Sequence, residues 1–233
     1  MVPSVHPQVC LDCSFEDKMT FKEINSLALQ IRYCYAANRR AKFPVHFSAS
    51  SLAGQTHDLL GKVCGFPEQW KTRAFTCSEQ SVEEMHATER DSLVYLTSDS
   101  DHTLQKLEKG KIYVIGGIVD RNRLKRVAID KAEALGITTA RLPIDEHLKV
   151  GSTKVLTCNH VFEILLQCRA TNNDWKKAML EVLPQRKEIE EIGAGQDTEK
   201  AAELEENEPE TPSDEQEVTP TTKETGENAD VVA

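Results

Sequence analysis

Two short apolar runs without polar alternation indicate a buried sheet in the middle of this sequence. They are Leu93–Leu96 (LVYL) and Ile112–Ile115 (IYVI). A half-buried strand alternates apolar and polar residues, whereas a strand that is covered on both faces is apolar throughout. Both segments are therefore predicted to be buried strands of a parallel sheet.

A helical pattern begins directly after residue 19. Thr20 and Glu23 have the spacing of a capping box, in which each side chain bonds to the backbone N–H of the other residue. Arg39 and Arg40 suit the other end of the helix, where the dipole favours positive charge. Between these ends, apolar residues recur at helical spacing and share one face: Ile24, Leu27, Ala28, Ile31 and Tyr35.

Strand-like and helix-like segments alternate along the rest of the chain. Further strands are predicted over residues 9–14, 44–48, 70–76 and 138–142, further helices over 51–65, 104–109, 124–135, 155–170 and 175–183, and a mobile loop over 149–153. Alternation of this kind is typical of βαβ units. The predicted fold class is α/β, with a mainly parallel sheet between layers of helices.

The segment KIYVIGGIVDRN (111–122) is the first candidate for chemistry. After its buried strand come Gly116 and Gly117, which allow a ligand to approach the main chain closely, and then the single carboxylate Asp120. In open α/β sheets, ligands bind in the crevice at the carboxyl ends of the strands. An ordinary turn between a strand and a helix is the alternative interpretation of the same pattern.

Charge divides the chain into two parts. Residues 188–233 carry sixteen acids and two bases, whereas residues 1–187 carry 22 acids and 26 bases. The acidic segment has too few apolar residues to offset its chain entropy, so a disordered tail is predicted there. We expect an N-terminal extension over residues 1–8, one folded domain over 9–187 and the tail over 188–233.

Cysteine content and hydropathy exclude several classes of protein. The seven cysteines are an odd number and several lie among apolar residues, which predicts reduced, packed thiols. Cys10 and Cys13 form a CxxC pair, but no second pair follows, so no metal site is predicted. No apolar run approaches the ~18 residues of a membrane span, and we see no secretory signal. We expect a cytoplasmic or nuclear protein that does not enter a membrane.

Several longer motifs resemble those of a known family. They are YLTSDS (95–100), VIGGIVDRNR (114–123), ARLPID (140–145), KVLTCNHVFEIL (154–165) and DWKKAMLEVLPQRK (174–187). In order and spacing they are similar to the tRNA position-9 N1-purine methyltransferases, a branch of the SPOUT superfamily. The resemblance implies a Rossmann-like sheet with a C-terminal trefoil knot, a monomer, S-adenosylmethionine as methyl donor and tRNA as substrate. The acceptor is N1 of guanosine 9, with adenosine 9 as the alternative.

The resemblance also assigns site residues. Asp120 aligns with the proposed general base of the family. The cofactor is expected at the loops after three strands, held by Leu96, Thr97, Gly116, Asp120, Arg121, Asn122, Arg123, Leu124, Ala128, Leu142, Lys154, Val155 and Leu156. The alternative for Asp120 is a structural carboxylate that caps the next helix or pairs with Arg123.

Basic clusters are the candidates for RNA contact, because phosphates attract lysine and arginine regardless of sequence. One lies beside the proposed site and the other at residues 39–42, so the expected RNA-binding residues are Arg39, Arg40, Arg121, Arg123, Lys125 and Arg126. A solvated helix face is the alternative. Family members usually carry a basic extension before the first strand; here eight residues precede it, so either the sequence is truncated or the domain alone holds RNA.

Two rival functions remain at this stage. A non-catalytic RNA-binding member of the same fold would show damaged glycines or a missing acid, and both are intact here. A dinucleotide-dependent oxidoreductase would need a GxGxxG turn with an acid about twenty residues later, and VIGGIVDRN lacks that spacing.

Overall fold

Six parallel strands form the central sheet in a computed structural model, which describes residues 7–71, 75–120, 123–150, 156–183 and 189–191. The strands are β1 (Gln8–Asp12), β2 (His46–Ser50), β3 (Phe75–Cys77), β4 (Leu93–Leu96), β5 (Ile112–Gly116) and β6 (Thr138–Ala140). Their order across the sheet is β3-β2-β1-β5-β4-β6. The predicted mainly parallel sheet is thereby confirmed.

Eight helices connect the strands within the described residues: α1 (Phe21–Arg40), α2 (Gly54–Gly61), α3 (Glu68–Lys71), α4 (Val82–Met85), α5 (Val127–Ala134), α6 (Ile144–His147), α7 (Cys158–Ala170) and α8 (Trp175–Val182). Short 3-10 turns cover Glu16–Lys18 and Arg90–Ser92. A separate antiparallel pair joins β7 (Leu148–Val150) to β8 (Ile189–Glu191). Strand β8 therefore lies in residues that the sequence assigned to the tail.

The two faces of the sheet carry separate apolar cores. Along β5, Tyr113 and Ile115 point into the core that also contains α1, α7 and α8, whereas Ile112 and Val114 point into a smaller core with Ala132 of α5. Because successive side chains of a strand alternate between faces, a strand between two cores must be apolar at every position. The unbroken apolar runs in the sequence have this cause.

Helix α1 begins and packs as its sequence predicts. The backbone N–H of Thr20 donates to Glu23 Oε2 (2.7 Å), and the N–H of Glu23 donates to Thr20 Oγ1 (3.4 Å). The five apolar residues at helical spacing are all buried. The helix ends at Arg40, as expected.

Residues 104–109, predicted to be helical, form neither helix nor strand, so this prediction was wrong. Their backbone is held by side chains from the turn between α7 and α8. The N–H of Leu107 donates to Asn173 Oδ1 (2.7 Å), and Trp175 Nε1 donates to the carbonyl of Gln105 (2.8 Å). These tertiary hydrogen bonds use backbone groups of the segment, and a helix of six residues has few hydrogen bonds of its own to compete with them.

The strand predicted over residues 70–76 was also misplaced. Trp70 lies in the short helix α3, and its ring stacks on Tyr35 at 3.8 Å between centroids. The strand itself begins only at Phe75. The Trp70 ring is almost fully buried and packs against Tyr35 of α1. An apolar residue at this position therefore reflects packing in the core and not membership of a strand.

Other boundaries differ by a few residues. The second strand occupies 46–50 in place of 44–48, since Asn38 binds the N–H and the carbonyl of Val45 (both 2.9 Å) just before it. Helix α5 begins at Val127 because Arg126 has a left-handed backbone (φ 58°). Of the predicted loop 149–153, the first two residues belong to β7 and the rest lie outside the described residues.

The predicted tail from residue 192 onward also lies outside the described residues. Within the described part of the chain, no helix has the length and apolarity needed to cross a membrane. The knotted path implied by the family resemblance stays a prediction.

Candidate active site

A cavity of about 210 Å³ opens at the carboxyl edge of β4, β5 and β6. The segments that follow these three strands form its walls, and the first turn of α7 closes one side with Cys158 and Val161. Parallel strands bring these distant segments together because their carboxyl ends share one edge of the sheet.

Most of the residues assigned to the cofactor meet in this cavity. Eight of them line it: Leu96, Thr97, Gly116, Asp120, Leu124, Ala128, Leu142 and Leu156. Arg123 is not among the lining residues. Arg121, Asn122, Lys154 and Val155 lie outside the described residues.

Asp120 lies on the cavity wall in the turn that leaves β5. Its carboxylate accepts a hydrogen bond from the N–H of Leu124, and its carbonyl accepts one from the N–H of Arg123 (3.2 Å). Asp120 is therefore the acceptor of both of these hydrogen bonds within the turn. Because α5 begins three residues after Leu124, the carboxylate stabilises the turn before the helix and does not cap the helix.

The bases beside Asp120 are partly engaged in other contacts. Arg123 Nη2 donates to Glu23 Oε2 (3.2 Å) and to the carbonyl of Lys18 (3.0 Å), which ties this turn to the start of α1. Arg126 forms an ion pair with Asp130 (3.1 Å) and approaches Glu133 (3.7 Å). Lys125 and the distant residues Arg39 and Arg40 are exposed.

Several lining residues were not assigned from the sequence. They are Ser98, Asp99, Ile115, Ile118, Val127, Arg141, Ile144, Asp145, Cys158 and Val161. A signal for the two acids was present: Asp99 follows β4 and Asp145 follows β6, as Asp120 follows β5. The apolar members carry no such signal, because an apolar residue in a cavity wall has the same pattern as one in the core.

Among the described residues, the lining carries more negative than positive groups. Asp99, Asp120 and Asp145 contribute three carboxylates, and Arg141 contributes one guanidinium. Arg141 already donates to the carbonyl of Ser100 (2.8 Å) and lies 3.9 Å from Glu146. The described part of the lining thus favours a ligand with a positive charge over an anion such as a nucleoside diphosphate.

The two glycines at the end of β5 have different roles. A Cβ added at Gly117 would lie 2.9 Å from the carbonyl oxygen of Asp12, whereas one at Gly116 would meet only ordinary contacts from 3.5 Å outward. The N–H of Gly117 donates to that same carbonyl (2.8 Å). Gly117 therefore allows the end of β1 to approach its backbone closely, whereas Gly116 lines the cavity.

A buried polar network lies beside these glycines. The fully buried carboxylate of Asp12 accepts from Lys131 Nζ (2.5 Å) and from the hydroxyl of Tyr95 (2.9 Å). Lys131 Nζ also donates to Ser14 Oγ (2.7 Å). Burial and the neighbouring Asp12 carboxylate raise the pKa of the Tyr95 hydroxyl well above its ordinary value. The network joins α5 to the ends of β1 and β4.

The first residue of α7 completes the wall. Burial raises the pKa of the Cys158 thiol to about 11, so the thiol is protonated at neutral pH and donates to the carbonyl of Gly116 (3.3 Å). The N–H of Cys158 donates to Gln30 Oε1 (2.9 Å). A side chain of α1 thus satisfies one of the backbone N–H groups at the N-terminus of α7. No cluster that could hold a metal ion occurs among the described residues.

Comparison with known proteins gives consistent matches. The family model described as tRNA (guanine(9)-N(1))-methyltransferase TRM10/TRM10A matches residues 2–188. The tRNA (guanine(9)-N1)-methyltransferase of Schizosaccharomyces pombe is 44% identical over 188 residues, which cover 78% of this chain and 59% of that protein. The tRNA methyltransferase 10 homolog A of Rattus norvegicus is 41% identical over 77% of this chain and 52% of its own length.

Solved structures agree with the sequence matches. The crystal structure of full-length spTrm10 in complex with SAH is 42% identical and has a TM-score of 0.71, covering 78% of this chain and 97% of that one. A dual-specific Trm10 from Thermococcus kodakaraensis shares the fold at 20% identity, with a TM-score of 0.59 over 76% of this chain and 99% of that one. The present chain spans little more than half the length of these two curated relatives from Schizosaccharomyces pombe and Rattus norvegicus. It belongs to the TRM10/TRM10A family of the SPOUT superfamily.

Proposed function

We propose that this protein transfers a methyl group from S-adenosylmethionine to N1 of guanosine at position 9 of tRNA. The observation that carries the proposal is the position of Asp120, in the same cavity wall as Thr97 and Leu142, in a chain of this family. The names of the relatives support guanosine as the acceptor, and the SAH complex of spTrm10 supports the cofactor.

The chemistry of the cavity suits S-adenosylmethionine. Its carboxylates match the positive sulfonium and ammonium groups of this cofactor, and its apolar residues match the adenine ring. When bound, S-adenosylmethionine supplies an activated methyl group. Leu96, Leu142 and Leu156 would enclose the apolar part of the ligand and exclude water from it.

Asp120 is the proposed general base. At neutral pH, N1 of guanine carries a proton and has no lone pair for attack on the methyl carbon, so this proton must be removed. The Asp120 carboxylate is held in the cavity wall by its hydrogen bond from Leu124 and can accept this proton. A placed base contributes about 10²–10⁴ in rate, and alignment of N1 with the methyl group contributes as much or more.

RNA binding rests on exposed bases near the site and at the end of α1. Lys125 lies beside the cavity turn, and Arg39 and Arg40 end α1. Arg123 and Arg126 contribute less directly, because both already pair with carboxylates of the protein. Arg121 belongs to the same cluster by sequence.

The test is nucleoside mass analysis of tRNA after incubation with the protein and isotopically labelled S-adenosylmethionine. Two transcripts that differ only in guanosine or adenosine at position 9 are compared. We expect labelled 1-methylguanosine in the first and no labelled nucleoside in the second. Labelled 1-methyladenosine in the second would change the substrate assignment. No product from either, with SAH binding intact by calorimetry, would favour a non-catalytic RNA-binding protein.

A further inference from the structure

The antiparallel pair of β7 and β8 forms a sheet of its own beside the candidate active site. Strand β7 begins directly after α6, whose residues Ile144 and Asp145 line the cavity. The backbone N–H of Leu148, the first residue of β7, donates to the carbonyl of Ile144. Leu156, which follows the other end of the strand by six positions, lines the same cavity. The segments on both sides of β7 therefore contribute to the cavity wall.

Strand β8 is the sheet partner of β7. The antiparallel register places Ile189 opposite Val150 and Glu191 opposite Leu148. Among the described strands, β7 pairs with no other. Strand β8 belongs to the same compact unit as the main sheet, but it begins one residue beyond the part of the chain that the family model matches, which ends at residue 188. The partner of β7 thus comes from the start of the acidic segment.

This pair of three-residue strands has little stability of its own. Two strands alone are marginally stable in water and need support from a packed face. Leu148 gives this support, because its side chain is 1% exposed and belongs to the larger apolar core. Without β8, the backbone N–H and carbonyl groups of β7 that face it would bind water. Ligand-binding segments are commonly drawn from such parts of low local stability.

We propose that β8 is a positioning strand for the cofactor: by pairing with β7, it holds the α6 wall and the approach to Leu156 in the arrangement that binds S-adenosylmethionine. This proposal rests on the proposed function, since it takes the cavity as the cofactor site. No atom of β8 needs to touch the ligand. The strand acts through β7, because Leu148 connects the pair to Ile144 in the cavity wall.

Strand pairing and cofactor binding must then strengthen each other equally. If pairing raises the affinity for a ligand by some factor, the ligand raises the equilibrium constant of pairing by the same factor. One backbone hydrogen bond contributes roughly two- to twelvefold to an equilibrium constant. We expect an effect of this size on the binding of SAH, because only three residue pairs join the two strands.

The test breaks the pairing in the full chain by Ile189→Pro together with Glu190→Pro. Proline has no N–H to donate to a neighbouring strand, and successive N–H groups of a strand point to opposite sides. One of the two prolines therefore removes a donor that faces β7. The matched control is Ala202→Pro together with Glu203→Pro. It also replaces one aliphatic residue and one glutamate of the acidic segment by proline, so the net charge changes equally.

Calorimetry measures the affinity for SAH, and steady-state rates separate the KM for S-adenosylmethionine from kcat. In the β8 variant, SAH should bind roughly two- to twelvefold more weakly and the KM should rise by a similar factor, with kcat at saturating cofactor unchanged. A strand with only a structural role would instead lower the midpoint of urea unfolding and leave the KM unchanged. In the wild-type protein, SAH should slow hydrogen exchange of the backbone amides in β7 and β8, a measurement that needs no variant.

Equal SAH affinity in the three proteins would overturn the proposal, and so would a control that loses as much affinity as the β8 variant. Unchanged hydrogen exchange of β7 on addition of SAH would contradict the coupling. If affinity and exchange respond as expected but the wild-type protein makes no 1-methylguanosine, the positioning role is supported and the proposed reaction is wrong. If 1-methylguanosine forms while SAH affinity is the same in all three proteins, only the positioning role is wrong.

Discussion

At the scale of single residues, Asp120 has a structural role that is compatible with the role of general base proposed for it. Its carboxylate stabilises the turn that follows β5 by accepting from Leu124, and the same side chain lines the cavity. A carboxylate has two oxygens and several lone pairs, so accepting the N–H of Leu124 does not by itself prevent it from accepting a substrate proton. The structural role would hold the proposed base in position.

We predict that Asp120→Asn lowers the methylation rate by about 10²–10⁴ without abolishing it. Asparagine can still accept the hydrogen bond from Leu124, so the turn is retained, but its amide cannot remove the proton from N1. Single-turnover rates report the loss, and calorimetry with SAH should give an affinity close to wild type. A wild-type rate across the pH range would remove Asp120 from the role of base.

The two glycines give a matched pair of substitutions. Gly117→Ala should destabilise the fold by about 1–3 kcal/mol, because its Cβ would meet the Asp12 carbonyl at 2.9 Å and the backbone must shift. Gly116→Ala should cost less stability but weaken SAH binding, since Gly116 lines the cavity and the added methyl group would lie against Ile118 in its wall. Urea unfolding and calorimetry measure the two effects. The expectation is contradicted if both variants lose the same amount in each assay.

At the scale of secondary-structure elements, an ion pair between Lys131 and Asp12 ties α5 to β1. Lys131 reaches the fully buried Asp12 and also lies over the ring of Phe15 (5.3 Å from Nζ to the centroid). Earlier in the same helix, Val127 and Ala128 line the cavity. The ion pair therefore contributes, from outside the cavity, to holding one of its walls in position.

Lys131→Met should destabilise the protein by about 3 kcal/mol, because it leaves the Asp12 carboxylate buried without a cation. The double variant Asp12→Asn with Lys131→Met should be less destabilised than the sum of the single variants, since neither charge remains. The affinity for SAH should fall in Lys131→Met because α5 is no longer anchored. Strictly additive unfolding energies would show that the two groups do not interact.

At the scale of the whole molecule, the sheet has a titratable cluster on the side away from the cavity. His46 of β2 and His86 after α4 are both removed from water, and burial lowers the pKa of each imidazole, partly opposed by Glu89. His46 Nδ1 and His86 Nε2 have no hydrogen-bond partner within the described residues. The fold thus favours the neutral form of both rings.

Stability should therefore fall as the pH drops below about 6.5, the ordinary histidine pKa. In that range the unfolded chain binds protons that the folded chain excludes, which costs up to about 1.4 kcal/mol per pH unit for each histidine. Urea unfolding between pH 7 and pH 5 measures the slope. His86→Gln should reduce it and the exposed control His102→Gln should not; equal slopes in all three proteins would contradict the assignment.

Much of the fold was determined by the sequence alone. Buried strands, the capping box of α1 and the amphipathic helices were predictable because they depend on neighbours within a few residues. A strand between two cores must be apolar at each position, and a helix on a sheet must repeat its apolar residues every three to four positions. Gly116 and Asp120, which follow one another closely at the end of β5, likewise indicated where the cavity lies.

Only the tertiary structure decided which distant residues meet. It placed β1 between β2 and β5, brought Asp99 and Asp145 into one wall with Asp120, and joined Lys131 to Asp12 across 119 positions. In residues 104–109, side chains near α8 form hydrogen bonds with the backbone, and no helix forms there. Contacts between residues far apart in the chain leave no periodic pattern in the sequence, so they could not be predicted from it. They form only once the sheet has brought their partners together.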